Sequence, residues 1–296
     1  MAGGATVAAA AVGGADLAVA NLEDPRPTLP VLIDGRGPFR LVADSAAEGL
    51  ALSRGVADAL KLSVANRPTT LIGSTGTELQ GARVATRVDS GDLHWSDIPA
   101  VILDRHALAI ADGIIGLAGL KGLVARYQFA SRTAEVRARD PNAASASKSG
   151  ARSLHLPVTL HSGGIPSIAL RCRDVLGKLK TVVALIDTGA EKSVGNANLA
   201  ALAARTSADQ PRRNRTLTGS SGTTVVGFDA RIEGLAVESI AWPPTAIAFA
   251  DLPVFRDLGL ATSPALLLGV DLLARFGELS VDSDRREVRI PLPHLP

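Results

Sequence analysis

The chain has 296 residues, of which 46% are hydrophobic, 20% charged and 3% aromatic, so a folded core would consist of Ala, Val, Leu and Ile. The 31 Lys and Arg against 29 Asp and Glu leave a net charge of +2, which gives no electrostatic argument for a nucleic-acid or membrane-surface partner. The single cysteine, Cys172, excludes an intramolecular disulfide, and the five histidines are too scattered for a metal site. We therefore expect no metal and no cofactor.

The N-terminal segment leaves the compartment open. Residues 1–20 are mostly Ala, Gly and Val and end in Ala18-Val19-Ala20, a spacing typical of a signal-peptidase site, although no Lys or Arg precedes it. The segment is too short and too rich in glycine to cross a bilayer, and no other stretch is long and apolar enough. It is either the remnant of an export signal, giving a periplasmic or secreted protein, or a disordered tail of a cytoplasmic one. We assign residues 1–28 to this tail, which could also be a pro-segment.

The remaining chain contains two copies of one pattern. A strand-like apolar run ends in Asp44-Ser45-Ala46-Ala47-Glu48 in the first copy and in Asp187-Thr188-Gly189-Ala190-Glu191 in the second. A predicted hairpin with a Gly-Ser-x-Gly tip follows in each copy. The two tips consist of Gly73, Ser74, Thr75 and Gly76, and of Gly219, Ser220, Ser221 and Gly222.

Further landmarks recur in the same order, at offsets that drift only from 143 to 153 positions along the chain. They are Trp95 and Trp242, Ile114-Ile115-Gly116 and Leu267-Leu268-Gly269, helix-like segments at 123–127 and 272–276, and closing strands around 135–137 and 287–289. Other helices are predicted only over 53–62 and 197–205. Residues 139–153 are small and turn-forming, so they are interpreted as a linker between lobes at 29–138 and 154–296. The pattern predicts an all-β protein with two similar lobes.

The repeated Asp motif supports one kind of chemistry. A pseudo-two-fold axis between the lobes could bring Asp44 and Asp187 together, and two carboxylates in contact share one proton. One carboxylate could then deprotonate a water while the other protonates a carbonyl oxygen, which hydrolyses an amide without a metal. Ser45 and Thr188 would hold the loops across the axis, and the small residues Ala46 and Gly189 would admit backbone amides. The hairpins would be mobile covers over a bound peptide.

These motifs resemble the aspartic proteases of the pepsin and retropepsin type, in particular bacterial retropepsin-like proteins with tandem lobes in one chain. Asp187-Thr188-Gly189-Ala190 matches the family signature, and Asp44-Ser45-Ala46-Ala47 is a weaker counterpart. Segments 112–117 and 266–273 look like those that cross behind the catalytic loops. The resemblance implies a bilobal acid protease fold with two β-barrel-like lobes and pseudo-two-fold symmetry. It implies an endopeptidase with a peptide or protein substrate, working as a monomer because one chain carries both half-sites.

Two alternatives remain open at this point. The family strongly favours Gly where this chain has Ala46, so the methyl group beside the carboxylates could leave a catalytically impaired, peptide-binding pseudoprotease on the same fold. The chain could also be a zymogen in which residues 1–28 cover the cleft until they are removed.

Overall fold

The computed structural model describes residues 24–72, 74, 78–103, 111–140, 152–174, 176–203, 213–219 and 223–292. Among them, strands form a twelve-stranded and a ten-stranded sheet. Six strands of the larger sheet close into a barrel. The predicted all-β, bilobal acid protease fold is therefore confirmed.

The described residues of the first half of the chain form nine strands and one short helix, α1 (Arg54–Leu60), which begins after Ser53. The Ser53 side chain accepts a hydrogen bond from the Val56 amide and so caps the helix. The strands are β1 (Thr28–Ile33), β2 (Arg36–Asp44), β3 (Leu50–Ser53), β4 (Ser63–Ile72), β5 (Glu78–Ser90), β6 (Leu93–Leu103), β7 (Gly113–Gly116), β8 (Leu123–Gln128) and β9 (Thr133–Ala138).

In the second half, the part that the structure describes forms mostly shorter strands and three helices. The helices are α2 (Ala197–Ala203), α3 (Pro253–Asp257) and α4 (Val270–Leu273). Single 3-10 turns lie at Ser162–Gly164 and Ala274–Phe276. The strands are β10 (Ser153–Pro157), β11 (Thr159–Leu160), β12 (Pro166–Arg173), β13 (Leu179–Ile186), β14 (Val194–Gly195), β15 (Arg213–Thr218), β16 (Thr224–Ile232), β17 (Ala236–Val237), β18 (Ile240–Ala241), β19 (Thr245–Phe249), β20 (Ala265–Leu268), β21 (Glu278–Asp282) and β22 (Glu287–Pro291).

The strand that leads to each Asp motif has the same kind of neighbour in both lobes. In the first lobe, β7 pairs in parallel with β2 and antiparallel with β3. In the second, β20 pairs in parallel with β13 and antiparallel with β14. The glycine that ends or follows the central strand, Gly116 or Gly269, lies against the backbone of the adjacent Asp loop, so any Cβ there would overlap that backbone. This close approach explains why an apolar-apolar-Gly segment occurs in each half of the sequence.

A cross-lobe sheet joins the two halves of the chain. It is the part of the twelve-stranded sheet with the strand order β10-β22-β21-β8-β9, in which β8, from the first half of the chain, pairs with β21, from the end of the chain. The predicted helix-like character of residues 123–127 is wrong, because these residues form β8. Ala125 and Tyr127 alternate with less buried neighbours and face the core, while the backbone pairs with both β9 and β21. The corresponding prediction for residues 272–276 is confirmed, since α4 and a 3-10 turn cover them.

The core has the composition that the sequence suggests. Its buried side chains are mostly Leu, Val, Ile and Ala, and one cluster extends through both lobes. Trp242 is a packing residue, because its ring meets that of Phe276 edge-on at 5.4 Å and its indole nitrogen donates to the Leu272 carbonyl. Cys172 is buried in β12, and burial raises the pKa of its thiol to about 11, so the thiol is unreactive. No helix in the described ranges is long and apolar enough to cross a membrane.

Candidate active site

The two Asp motifs meet at the junction of the lobes. Asp44 is the last residue of β2, and Asp187 directly follows β13. Both strands are apolar and buried towards these ends, so each places its carboxyl group at the edge of the core. Asp187 is buried and Asp44 is half-buried.

Reciprocal hydrogen bonds hold the two loops face to face. The Ser45 amide donates to the Thr188 hydroxyl at 3.0 Å, and the Thr188 amide donates to the Ser45 hydroxyl at 3.1 Å. Each hydroxyl also donates across the junction, Ser45 to the Ile186 carbonyl at 2.8 Å and Thr188 to the Ala43 carbonyl at 2.6 Å. Each hydroxyl has a single proton, which is already given to a carbonyl. The 3.3 Å contact between the two hydroxyl oxygens is therefore not a further hydrogen bond. Both side chains are buried, so these four hydrogen bonds, called the hydroxyl lock below, are shielded from water.

Backbone amides orient both carboxylates. Asp44 Oδ1 accepts a hydrogen bond from the Ala46 amide at 2.8 Å. Asp187 Oδ1 accepts one from the Gly189 amide at 3.0 Å and one from the Ala190 amide at 2.9 Å. Hydrogen bonds to the ionised form favour it, so these amides partly offset the cost of burying the charge.

The position of Gly189 shows how close the loops are. A Cβ built on Gly189 would overlap the carboxyl group of Asp44, so the absence of a side chain there lets the Asp44 carboxylate enter the second loop. The structure thus brings together six of the predicted residues: Asp44, Ser45, Ala46, Asp187, Thr188 and Gly189.

Both carboxyl groups hold their proton more tightly than usual. Burial raises the pKa of Asp187 well above its ordinary value, and the nearby charge of Asp44 raises it further. Burial also raises the pKa of Asp44, against the opposing effects of the Ala46 amide and the positive charge of Arg26. Two carboxylates that interact in this way titrate as a pair. The pair can therefore retain one proton at pH values where an isolated Asp is fully ionised.

Arg26 belongs to this site, although the sequence analysis assigned it to the tail. It is 7% exposed and lies in a fork with Asp24, at 2.7 to 3.1 Å between the guanidinium nitrogens and the carboxylate oxygens. The guanidinium also donates to the Gly189 carbonyl at 3.4 Å and lies 3.9 Å from Glu191. No sequence motif marks this arginine, because all of its partners except Asp24 come from the other half of the chain.

Tyr127 is the second residue that the sequence analysis missed. It is fully buried in β8 beside the hydroxyl lock and close to both carboxylates, and burial raises its pKa. Its hydroxyl makes no hydrogen bond of ordinary geometry within the described residues. It is the only tyrosine of the chain, and that rarity is the one signal that could have drawn attention to it.

Two of the predicted cover residues lie within the described residues. Ser74 lies between β4 and β5, and its carbonyl accepts a hydrogen bond at 3.4 Å from Val254 in α3, so this hairpin contacts the other lobe. Gly219 follows β15 and donates to the Thr223 carbonyl at the base of the β15–β16 hairpin. The remaining tip residues lie outside the described residues, and they are Gly73, Thr75, Gly76, Ser220, Ser221 and Gly222.

Part of the chain is similar to a known protein family. Residues 29–118 match the family described as aspartyl protease. The match covers the first Asp motif and the crossing strand behind it, which is less than half of the chain. No curated protein matches the sequence. In the described ranges, no three His, Cys, Asp or Glu side chains are grouped so that they could hold a metal ion.

Proposed function

We propose that this protein is a retropepsin-like aspartic endopeptidase in which Asp44 and Asp187 act as the catalytic pair. One observation carries the proposal above all others: the hydroxyl lock holds the Asp44 and Asp187 loops face to face, and burial raises the pKa of both carboxyl groups. The family match over residues 29–118 supports the same class of enzyme. A peptide would bind in extended form between the lobes, beneath the β4–β5 and β15–β16 hairpins.

In the proposed mechanism, the carboxylate pair starts with one shared proton. The ionised carboxylate takes a proton from a bound water, whose oxygen attacks the peptide carbonyl carbon, while the protonated carboxyl gives its proton to the carbonyl oxygen. The resulting tetrahedral diol collapses when the protonated carboxyl gives its proton to the amide nitrogen, a diol hydroxyl returns a proton to the other carboxylate, and the C–N bond breaks. The products are a carboxylic acid and an amine, and the pair is left with one proton, ready for the next substrate.

The test is cleavage of a mixed peptide library at mildly acidic pH, read by mass spectrometry. Asp187→Asn and Asp44→Asn should each lower the rate by at least about 10²–10⁴-fold, the usual contribution of a general acid or base. Asp89→Asn in β5 is the matched control and should cleave like the parent, because its carboxylate bonds to Arg87 and His94 on the surface of the first lobe. Cleavage by Asp187→Asn at the parent rate would refute the mechanism.

The impaired, peptide-binding alternative finds no support in the described structure. Ala46 keeps its amide bonded to Asp44 at 2.8 Å despite its methyl group. A parent protein that is silent, but cleaves peptides once Ala46→Gly is introduced, would restore that alternative.

The compartment and the oligomeric state remain proposals. We propose an exported, monomeric protein, because residues 1–20 carry the signal-like spacing and one chain supplies both carboxylates. Fractionation of cells that express the full chain would test the first point. Light scattering of the purified protein would test the second.

A further inference from the structure

Arg26 lies on a direct route to the Asp187 carboxylate. Its guanidinium donates to the Gly189 carbonyl, and the amide of the same peptide group, on Ala190, donates to Asp187 Oδ1 at 2.9 Å. A cation that polarises a carbonyl strengthens the hydrogen bond given by the N–H of that peptide, because hydrogen bonds in a chain reinforce one another. The positive charge thus acts on Asp187 through a single peptide group.

The same arginine acts on the other carboxylate through space. The Asp44 carboxyl group lies against the Cα of Gly189, one bond away from the carbonyl that Arg26 binds. The charge of Arg26 favours the ionised forms of both Asp44 and Asp187.

The carboxylate of Asp24, which is buried together with Arg26, holds the guanidinium in place. Asp24 binds it through both carboxylate oxygens and also accepts a hydrogen bond from the Arg26 amide at 2.9 Å. A buried fork of this kind fixes the planar guanidinium in one orientation. The Pro27 carbonyl accepts a hydrogen bond from the Ala43 amide, so the segment is tied to β2 just before Asp44.

Among the described residues, the Asp44 loop has no ion pair that corresponds to the one between Arg26 and Glu191. Glu48 occupies in the first motif the place that Glu191 occupies in the second, and its carboxyl group lies beside Gly163. Within the described ranges, the charged or titratable groups around the pair and Arg26 are Asp24 and Glu191, which flank the guanidinium, Glu48 of the first Asp loop, and Tyr127 of β8.

We propose that Arg26 is a positioning residue of the catalytic pair, whose charge keeps one carboxylate ionised in acid and so extends activity to lower pH. This inference rests on the proposed function. It also gives residues 24–27 a part in the site, in contrast to a pro-segment that must be removed.

The experiment compares Arg26→Gln with Arg26→Lys in the full chain, measuring kcat/KM against pH on one cleaved peptide. Loss of the cation raises the pKa of both carboxylates. The acidic limb of the Arg26→Gln profile should therefore move to higher pH by roughly one unit, the low end of what a nearby opposite charge causes. On that limb the activity should fall about tenfold relative to the parent. Arg26→Lys keeps the charge and should keep the parent profile.

Arg87→Gln is the matched control, because this arginine is exposed and pairs with Asp89 on the surface. Urea unfolding establishes whether each variant is folded. If Arg26→Gln does not fold because Asp24 is left without its partner, the double variant Asp24→Asn/Arg26→Gln removes both buried charges together. It should show a shift in the same direction but smaller, because the loss of the Asp24 charge offsets part of the loss of the cation.

The outcomes separate the inference from the proposed function. A parent that does not cleave peptides would refute the function itself. A parent that cleaves, with a folded neutral variant at position 26 whose pH profile does not move, would overturn the role of Arg26 and leave the enzyme class intact. An equal loss of activity at every pH in Arg26→Gln and Arg26→Lys would also overturn it, because that is the result of a purely structural arginine.

Discussion

The two small residues that follow the hydroxyl side chains are not equivalent. Gly189 lies against the Asp44 carboxyl group, and a methyl group there would overlap it. Ala46 already carries a methyl group, is half-buried and keeps its amide hydrogen bond to Asp44. The departure from the family signature therefore lies on the side of the junction that tolerates it.

This difference predicts a large effect of a substitution at Gly189 and a small effect of one at Ala46. Gly189→Ala should lower peptide cleavage by more than about 100-fold and destabilise the fold by about 1–3 kcal/mol, as overpacking in a close-packed site does. Ala46→Gly should change the rate by no more than a few-fold. Steady-state kinetics with urea unfolding would measure both effects. Equal effects of the two exchanges would contradict the proposed asymmetry.

Tyr127, which is buried close to both carboxylates, provides a test of the packing next to them. A buried hydroxyl without a hydrogen bond costs free energy, so Tyr127→Phe should leave the protein as stable as the parent or stabilise it by about 1 kcal/mol. Peptide cleavage should stay within a few-fold of the parent. Urea unfolding is the measurement, and a loss of more than about 1 kcal/mol would mean that the hydroxyl bonds to Thr188 or Ser45 in solution.

Among the elements, the crossing strands β7 and β20 pack closely against the Asp loops. Gly116 pairs with Asp44 at the end of β2, and its Cα lies against the Ala47 backbone. The Gly116 amide also donates to the Gly49 carbonyl at 2.8 Å. The first Asp loop and the strand behind it therefore form one packed unit.

Gly116→Ala should destabilise the fold by about 2–4 kcal/mol, because backbone rather than a flexible side chain must move to admit the methyl group. Gly55→Ala is the matched control. Gly55 lies in α1 with open space where its Cβ would be, so this exchange should stabilise the protein by about 0.5–1 kcal/mol. Thermal and urea unfolding would measure both, and a Gly116→Ala protein as stable as the parent would contradict the packing described here.

The cross-lobe sheet connects the two halves of the chain through strand pairing. β8 and β21 pair over five residues, and Arg126 of β8 binds Glu278 of β21 at 2.6 Å and Glu135 of β9 at 3.0 Å. Since the hydroxyl lock joins the same halves, the lobes are connected on both sides of Tyr127. The carboxylate pair consequently lies between two sets of contacts that join the halves.

For the molecule as a whole, the buried pair links stability to pH. The pKa of Asp187 is higher in the folded protein than in the unfolded chain, so the folded state binds more protons. The free energy of unfolding should therefore fall as the pH rises above about 4, the ordinary value for Asp, until the folded pKa is passed.

Asp187→Asn removes this effect and should be more stable than the parent at pH 7, with the difference shrinking towards pH 3. Urea unfolding at several pH values is the measurement. Asp89→Asn is a control of opposite sign, because hydrogen bonds from Arg87 and His94 lower the pKa of Asp89, so its charge favours the folded state at neutral pH. If the difference in stability between the parent and Asp187→Asn is the same at all pH values, the pKa of the Asp187 carboxyl group is not raised in the folded protein.

The amino-acid sequence by itself determined the all-β class and the two Asp motifs, because apolar runs, turn residues and repeated landmarks depend on neighbours along the chain. The same local patterns indicated the hairpins of Ser74 and Gly219. They failed at residues 123–127, where a five-residue apolar segment suits a helix or a strand equally well until β9 and β21 pair with it.

Only the tertiary structure decided what surrounds the carboxylates. Arg26 reaches Gly189 across 163 positions, and Ser45 reaches Thr188 across 143. Burial of Asp187 and Tyr127 likewise arises from packing between the halves. Hydrogen bonds and desolvation act through distances in space, so contacts between residues this far apart in the chain become visible only once the fold has brought them together. The overall charge of +2 indicates no partner, because composition does not show that Arg26 is buried near the Asp44 and Asp187 carboxyl groups.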